Sequence, residues 1–239
     1  MYRLRRAVPC KRSGKKPGSP RSKPRRSAFA SPIVRGMART KPSERARERV
    51  LTDDELRKVL RAAEGCGVYG SYLHFLLLTA ARRSEVAGMT WAEINGGDWT
   101  LPAARNKTKL DLVRPLSPAA RKIIEDLAKA GPFVFTTNGT TPISNFSQFK
   151  RRLDKASGTK GWVLHDLRRT ARSLLSRAGV PTDHAERCLG HVIGGVRGVY
   201  DRHEYHREKA QAFEALAGLI ERIVSGTGGE VVPMRRGKQ

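Results

Sequence analysis

The reading of this chain turns on residues 71–85, SYLHFLLLTAARRSE. From Ser71 to Ala81 the residues are apolar nearly all round, which predicts a buried central helix. A second helical piece, Ser84–Met89, follows at once. Arg82 stands at the junction, where a charged head is costly unless an anion meets it. Glu85, one turn on, offers a structural partner; a bound anion is the other possibility.

Working outward, Thr52-Asp53-Asp54-Glu55 is a capping box. Leu56, Val59, Leu60 and Ala63 then recur at helical spacing, and Gly65-Cys66-Gly67 ends that helix. Downstream the period changes. Trp91–Ile94, Trp99–Ala103 and Leu110–Leu116 read as three short strands, the first two joined by the turn Asn95-Gly96-Gly97-Asp98. Arg105-Asn106-Lys107-Thr108-Lys109 lies in the loop joining the last two. Helical stripes resume at Ala120, Ile123, Ile124 and Leu127. A second stripe holds Phe146, Phe149, Leu153 and Ala156, with Lys150, Arg151, Arg152 and Lys155 on its other sides. A third holds Leu167, Thr170, Ala171, Leu174, Leu175 and Ala178, ended by Gly179 and Pro181. A short helix is expected over Thr182–Leu189. A last one runs from about Glu204 to Val224, with Phe213, Leu216, Ala217, Ile220 and Val224 facing inward. The fold class is α+β, mostly helical, with a small three-stranded antiparallel sheet.

Composition frames this core. The chain has 239 residues and 38% hydrophobic content, enough for one sizeable domain with tails. Lys and Arg number 47 against 22 Asp and Glu, a net charge of +25. Residues 1–50 hold 17 basic and 2 acidic side chains, and the remaining 189 hold 30 and 20, so the body is basic without its N-terminal part. Such a surface attracts polyanions, nucleic acid first among them. No segment is long and apolar enough to span a bilayer. Residues 1–49, rich in Pro, Arg, Lys and Ser, read as a disordered basic arm. That is a solvated tail or a clamp on phosphates, and its composition is also that of a transit peptide. Residues 50–224 form the folded part and 225–239 a flexible tail. The three cysteines, Cys10, Cys66 and Cys188, are far apart and suggest neither zinc nor disulfides. A reducing, cytoplasmic setting fits.

Four segments hold side chains capable of chemistry: Thr79–Glu85, the Lys107 loop, His165-Asp166-Leu167-Arg168-Arg169-Thr170, and Leu189-Gly190-His191 followed by Tyr200. His165 and Arg168, three apart at a helix start, share a face away from the apolar stripe, where a helix N-terminus already favours an anion. Taken singly, each candidate has an ordinary structural reading: Lys107 as a solvated lysine, His191 as a cap, Tyr200 as a core-edge ring. The six histidines show neither an HExxH nor a Cys/His ligand spacing, so no metal and no cofactor are expected.

Together, and in this order, the segments resemble the tyrosine recombinases, also called phage integrases. TAARRSE resembles that family's T-G-x-R-x-x-E box, with Ala80 in place of its glycine, a change expected to be mild because helices tolerate Ala. ARNKTKLDLVRPLS resembles its β-hairpin, HDLRRT its H-x-x-R box, LGH its next box and VYDRHEY its nucleophile segment. The resemblance covers about residues 50–224 and implies the catalytic fold of DNA breaking-rejoining enzymes. It implies Arg82, Lys107, His165, Arg168 and His191 as catalytic residues, with Tyr200 as the nucleophile that forms a 3′-phosphotyrosyl link during site-specific recombination. Tyr205 is a rival, about 140° further round a helix, but the spacing from His191 favours Tyr200. Glu85 is implied as a support for Arg82. The expected partner is double-stranded DNA, not a membrane, with a tetramer on DNA and a monomer when free. Family members usually carry a further N-terminal helical domain where this chain has its basic stretch. A DNA-binding remnant that does not recombine is therefore one alternative, and a type IB topoisomerase-like activity another.

Overall fold

The computed structural model describes residues 47–191 and 203–226. Helix α1 (Asp53–Glu64) begins at the expected capping box: Glu55 N–H donates to the Thr52 hydroxyl and Thr52 N–H to the Glu55 carboxylate. Its stripe Leu56, Val59, Leu60 and Ala63 is buried. Helix α2 (Val68–Thr79) follows after a short turn and is the centre of the molecule, packed on by α1 and by elements further along the chain. From Tyr72 to Thr79 every side chain except His74 is buried. Gly70 permits the close approach of α1, since a Cβ there would lie 2.0 Å from the carbonyl oxygen of Ala63.

The chain leaves α2 through Ala80, whose φ of 48° is left-handed. Helix α3 (Arg83–Ala87) then starts with Arg82 as its cap. The strands β1 (Ile94–Asn95), β2 (Asp98–Leu101) and β3 (Leu112–Pro115) form an antiparallel sheet in that order. They are shorter than the sequence suggests. Trp91–Glu93 makes a single 3₁₀ turn rather than strand, because Thr90 and the N–H of Trp91 pair with residues 132–133 and turn the backbone aside. In the sheet Trp99 lies opposite Arg114.

Four further helices precede the last: α4 (Pro118–Glu125), α5 (Phe146–Ser157), α6 (Leu164–Arg177) and α7 (Thr182–Leu189). Helix α8 (His206–Ser225) packs across α1, α6, α7 and β3. It starts two residues later than expected and buries Lys209, Leu219 and Ile223 beside the expected Phe213, Leu216 and Ile220. Lys209 lies under the sheet because its ammonium donates to the Val113 carbonyl at 2.9 Å. On α5, Ser157 is buried where Ala156 was expected. An aromatic core of Tyr72, Phe75, Trp99, Phe135 and Phe146 joins α2 to the sheet and to α5. The architecture is the mostly helical α+β class read from the sequence, with its small antiparallel sheet. Among the described residues no helix is long and apolar enough to cross a membrane.

Candidate active site

The site is built on the α2–α3 junction. The N–H of Arg82 donates to Glu85 Oε2 at 3.0 Å, and its Nη1 donates to Oε1 at 2.5 Å. Glu85 is buried, and its Oε2 also accepts from Nη2 of Arg114 at 2.9 Å. Burial opposes ionisation of Glu85, but the Arg114 and Arg82 charges and bonds outweigh it and hold the carboxyl below its usual range. This acid is therefore a carboxylate shared by two guanidinium groups.

Arg168 comes from α6. Sequence reasoning puts it on an open face, yet the structure buries it to 5% exposure. The reason is local. The left-handed turn at Ala80 aims that residue's carbonyl at Arg168 Nη1 (2.5 Å), and the end of α7 presents the Leu189 carbonyl to Nη2 (2.8 Å). Main-chain oxygens thus replace the water that the guanidinium gives up. Burial, then the fields of Arg114 and Arg82, pull Arg168 down to about 9, which leaves it charged at neutral pH. The site has more positive charge than it can neutralise by itself.

His191 follows Gly190, which ends α7 in the left-handed conformation with φ 72°. Its Nε2 lies 3.1 Å from Arg168 Nη2, and its Nδ1 contacts the carboxylate of Glu186. Burial disfavours the charged form of Glu186, but bonds from Arg172 and His191 prevail and keep the carboxyl below its normal range. His165, in the first turn of α6, is exposed. With Arg82, Arg83, Ser84 and Lys150 it lines a pocket of about 470 Å³. Loss of water around its ring, then the charges of Arg169 and Arg168, lower its pKa. At neutral pH the imidazole is uncharged and can accept a proton.

The structure thus joins Arg82 to His165 in one pocket wall and Arg168 to His191 by direct contact. It does not bring Lys107 into contact with them. Lys107 is exposed in the β2–β3 loop and makes no hydrogen bond or ion pair among the described residues. The base of that loop is tied to the site by Arg105, which donates to the Glu85 carbonyl at 2.5 Å and pairs with Glu93. Tyr200 lies outside the described residues. Its rival Tyr205 has its ring under the Arg187 guanidinium at 3.7 Å and against His184 and His203. Sequence reasoning missed Arg114 and Glu186. Arg114 was detectable in principle, because pairing β3 with β2 sets it opposite buried Trp99; nothing in the sequence marks Glu186. Among the described residues no group of His, Cys, Asp or Glu is arranged to hold a metal.

Residues 49–207 match the model of the phage integrase family. The chain belongs to that family. The matched span contains all six candidate residues. Among curated phage integrases it resembles Prophage integrase IntA of Escherichia coli (strain K12), 34% identical over 158 residues that make up 63% of this chain and 38% of the relative. It also resembles Prophage integrase IntZ of the same organism, at 29% over 167 residues, 67% and 42% of the two chains. The chain therefore spans about two fifths of the length of these relatives. Among solved structures, the integrase from mycobacterium phage Brujita superposes with a TM-score of 0.56 at 14% identity, covering 77% of this chain and 65% of that one. A lambda integrase dimer bound to a COC′ core site gives 0.53 at 22%, covering 71% and 51%. These integrase structures share the fold.

Proposed function

We propose that this integrase cleaves and rejoins duplex DNA at a specific site through a covalent tyrosine link, with Arg82, Lys107, His165, Arg168, His191 and Tyr200 as the catalytic residues. The observation that carries the proposal is the convergence of two guanidinium groups and two imidazoles, from three separate segments, around one site of excess positive charge. A phosphodiester carries a single negative charge. More develops on its non-bridging oxygens as a nucleophile attacks. Two planar, positively charged forks suit those oxygens, and each such cation contributes on the order of a few kcal/mol.

In the proposed step the Tyr200 oxygen bonds to phosphorus and the bond from phosphorus to the 5′ oxygen breaks. Neutral His165 takes the phenolic proton. Lys107, at the exposed loop, gives a proton to the leaving oxygen, and His191 orients Arg168 toward a phosphate oxygen. One phosphodiester is exchanged for another, so rejoining is the reverse reaction and needs no ATP. Lambda integrase has been seen as a dimer on a core site and as a tetramer on a Holliday junction; the same mode of assembly on DNA is proposed for this chain, with a monomer in the absence of DNA. Residues 50–224 are read as the catalytic domain, with 1–49 as a basic arm and 225–239 as a tail.

The test is covalent capture. The full chain is incubated with a pool of nicked duplexes of random sequence, and protein-linked strands are recovered after denaturation. The expected result is an adduct that selects one sequence, disappears in Tyr200→Phe and persists in Tyr205→Phe. Binding without any adduct would instead make the chain a DNA-binding remnant. Adducts without sequence selection, with relaxation of plasmids lacking a site, would make it a topoisomerase.

A further inference from the structure

Among the described residues Arg114 is the largest charged side chain with no exposure at all; it falls within the hairpin segment ARNKTKLDLVRPLS, yet neither that resemblance nor the cleavage scheme gives it a role. It stands on β3 directly across from Trp99, with its guanidinium carbon 4.9 Å from the indole ring. A single nitrogen, Nη2, is paired, to Glu85; Nε and Nη1 find no partner among the described residues. Stability does not account for such an arrangement. A buried ion pair is weak support for a fold, and unpaired buried N–H groups are a net cost that an apolar side chain against Trp99 would avoid.

Charge does account for it. Glu85 holds Arg82 through both the main chain and the side chain. On its own it would cancel the positive charge that Arg82 presents, leaving Arg168 as the one uncancelled guanidinium. Arg114 takes a share of the same carboxylate. The group Arg82–Glu85–Arg114 is then net positive, and with Arg168 the cluster carries two positive charges in excess. We infer that Arg114 is a positioning residue: by sharing Glu85 it leaves the charge of Arg82 available to a phosphate, so that the anion meets two effective guanidinium groups instead of one. Arg114 also stands first, after burial itself, among the influences that oppose the charge on Arg168, as expected of a cation just behind the site. Glu85 thus keeps Arg82 in place without neutralising the site.

The inference rests on the strand-cleavage reading for one of its two readouts. The full chain is compared with Arg114→Met and Arg114→Lys, and Arg114→Met is repeated in a Glu85→Gln background. One readout is the Kd for inorganic phosphate, followed through the His165 ring signals by NMR. The other is the rate of adduct formation on the captured nicked duplex. Arg114→Met is expected to weaken phosphate binding and slow the adduct by about tenfold, while Arg114→Lys stays within about threefold of the parent. With Glu85 already uncharged, Arg114→Met is expected to cost less than about threefold, because there is no carboxylate left to cancel Arg82. A merely structural role would give the same loss in both backgrounds and no rescue by Lys, and either result would overturn the inference. So would parent-like binding and cleavage in Arg114→Met. Should that variant fail to fold, Arg114→Gln, uncharged but still able to donate to Glu85, takes its place under the same criteria. If the parent itself forms no adduct, the cleavage reading fails, and the phosphate titration still decides the role of Arg114.

Discussion

His191 touches Arg168 through Nε2 and Glu186 through Nδ1. A guanidinium cannot accept a hydrogen bond, so Nε2 carries the lone pair and Nδ1 the proton. Glu186 thereby fixes one tautomer of the ring. Glu186→Ala is predicted to slow adduct formation by about tenfold with little change in melting temperature, and a parent-like rate would leave Glu186 a surface ion pair and no more. His165 sets a pH limit. Its pKa is lowered from an ordinary 6.5 by loss of water and by Arg169 and Arg168. Protonation removes the proton acceptor. Adduct formation is therefore predicted to hold steady through neutral pH and to fall only below 6.5, with that acid limb missing in His165→Gln. A decline already under way between pH 7 and 8 would contradict the assignment. Ala80 carries a different lesson. Its sequence reading, a mild replacement inside a helix, misplaces it: φ is 48°, beyond the helix end. There Ala bears about 1 kcal/mol of strain that Gly would not, and the turn is kept because its carbonyl anchors Arg168.

At the scale of elements, the legible parts were those where one pattern decides the outcome. The capping box and stripe of α1, the apolar run of α2 and the α7 helix follow from local residues alone. Ends and exceptions did not, because neighbours decide them. Arg168 looks solvent-facing on α6 until the α2–α3 turn closes over it. Asp166 is fully buried, accepting from the N–H of Val163 at 2.9 Å and paired with Arg169 and Arg47. Asp166→Ala is predicted to lower stability by about 2 kcal/mol in denaturant unfolding, mainly through the lost cap, since both arginines are partly exposed and can turn to water. Neighbours also decide the end of α7. A Cβ on Gly190 would sit 2.3 Å from Leu112 Cδ2, in a backbone conformation that L residues rarely take. Gly190→Ala is expected to displace His191 and to lower the adduct rate by more than it lowers the melting temperature; the reverse ordering would make Gly190 a packing residue alone. Of the candidate site, Arg82 with Glu85 was readable as a pair. Arg114 escaped because a charged residue on a strand is ordinarily read as pointing outward.

For the whole molecule, charge is the controlling property. A net +25 predicts that the proposed DNA binding depends strongly on salt, with log K falling against log salt by about 0.9 for each phosphate neutralised. Replacing the basic residues within 1–46 by serine is predicted to reduce that slope by at least about 2 if the arm grips phosphates, and an unchanged slope would make it a solvated tail. Light scattering on the free protein is expected to give a monomer, and a DNA-free tetramer would contradict the proposed order of assembly. The most direct test of the account is a structure of the full chain on its captured duplex with the scissile phosphate intact. Arg82 and Arg168 are predicted to hold non-bridging oxygens of one and the same phosphate, each at about 2.7–3.2 Å, with the Tyr200 hydroxyl of that chain or of a neighbouring copy in line with the 5′ oxygen. A phosphate bound away from these two guanidinium groups, or a Tyr200 hydroxyl unable to reach it, would contradict the account.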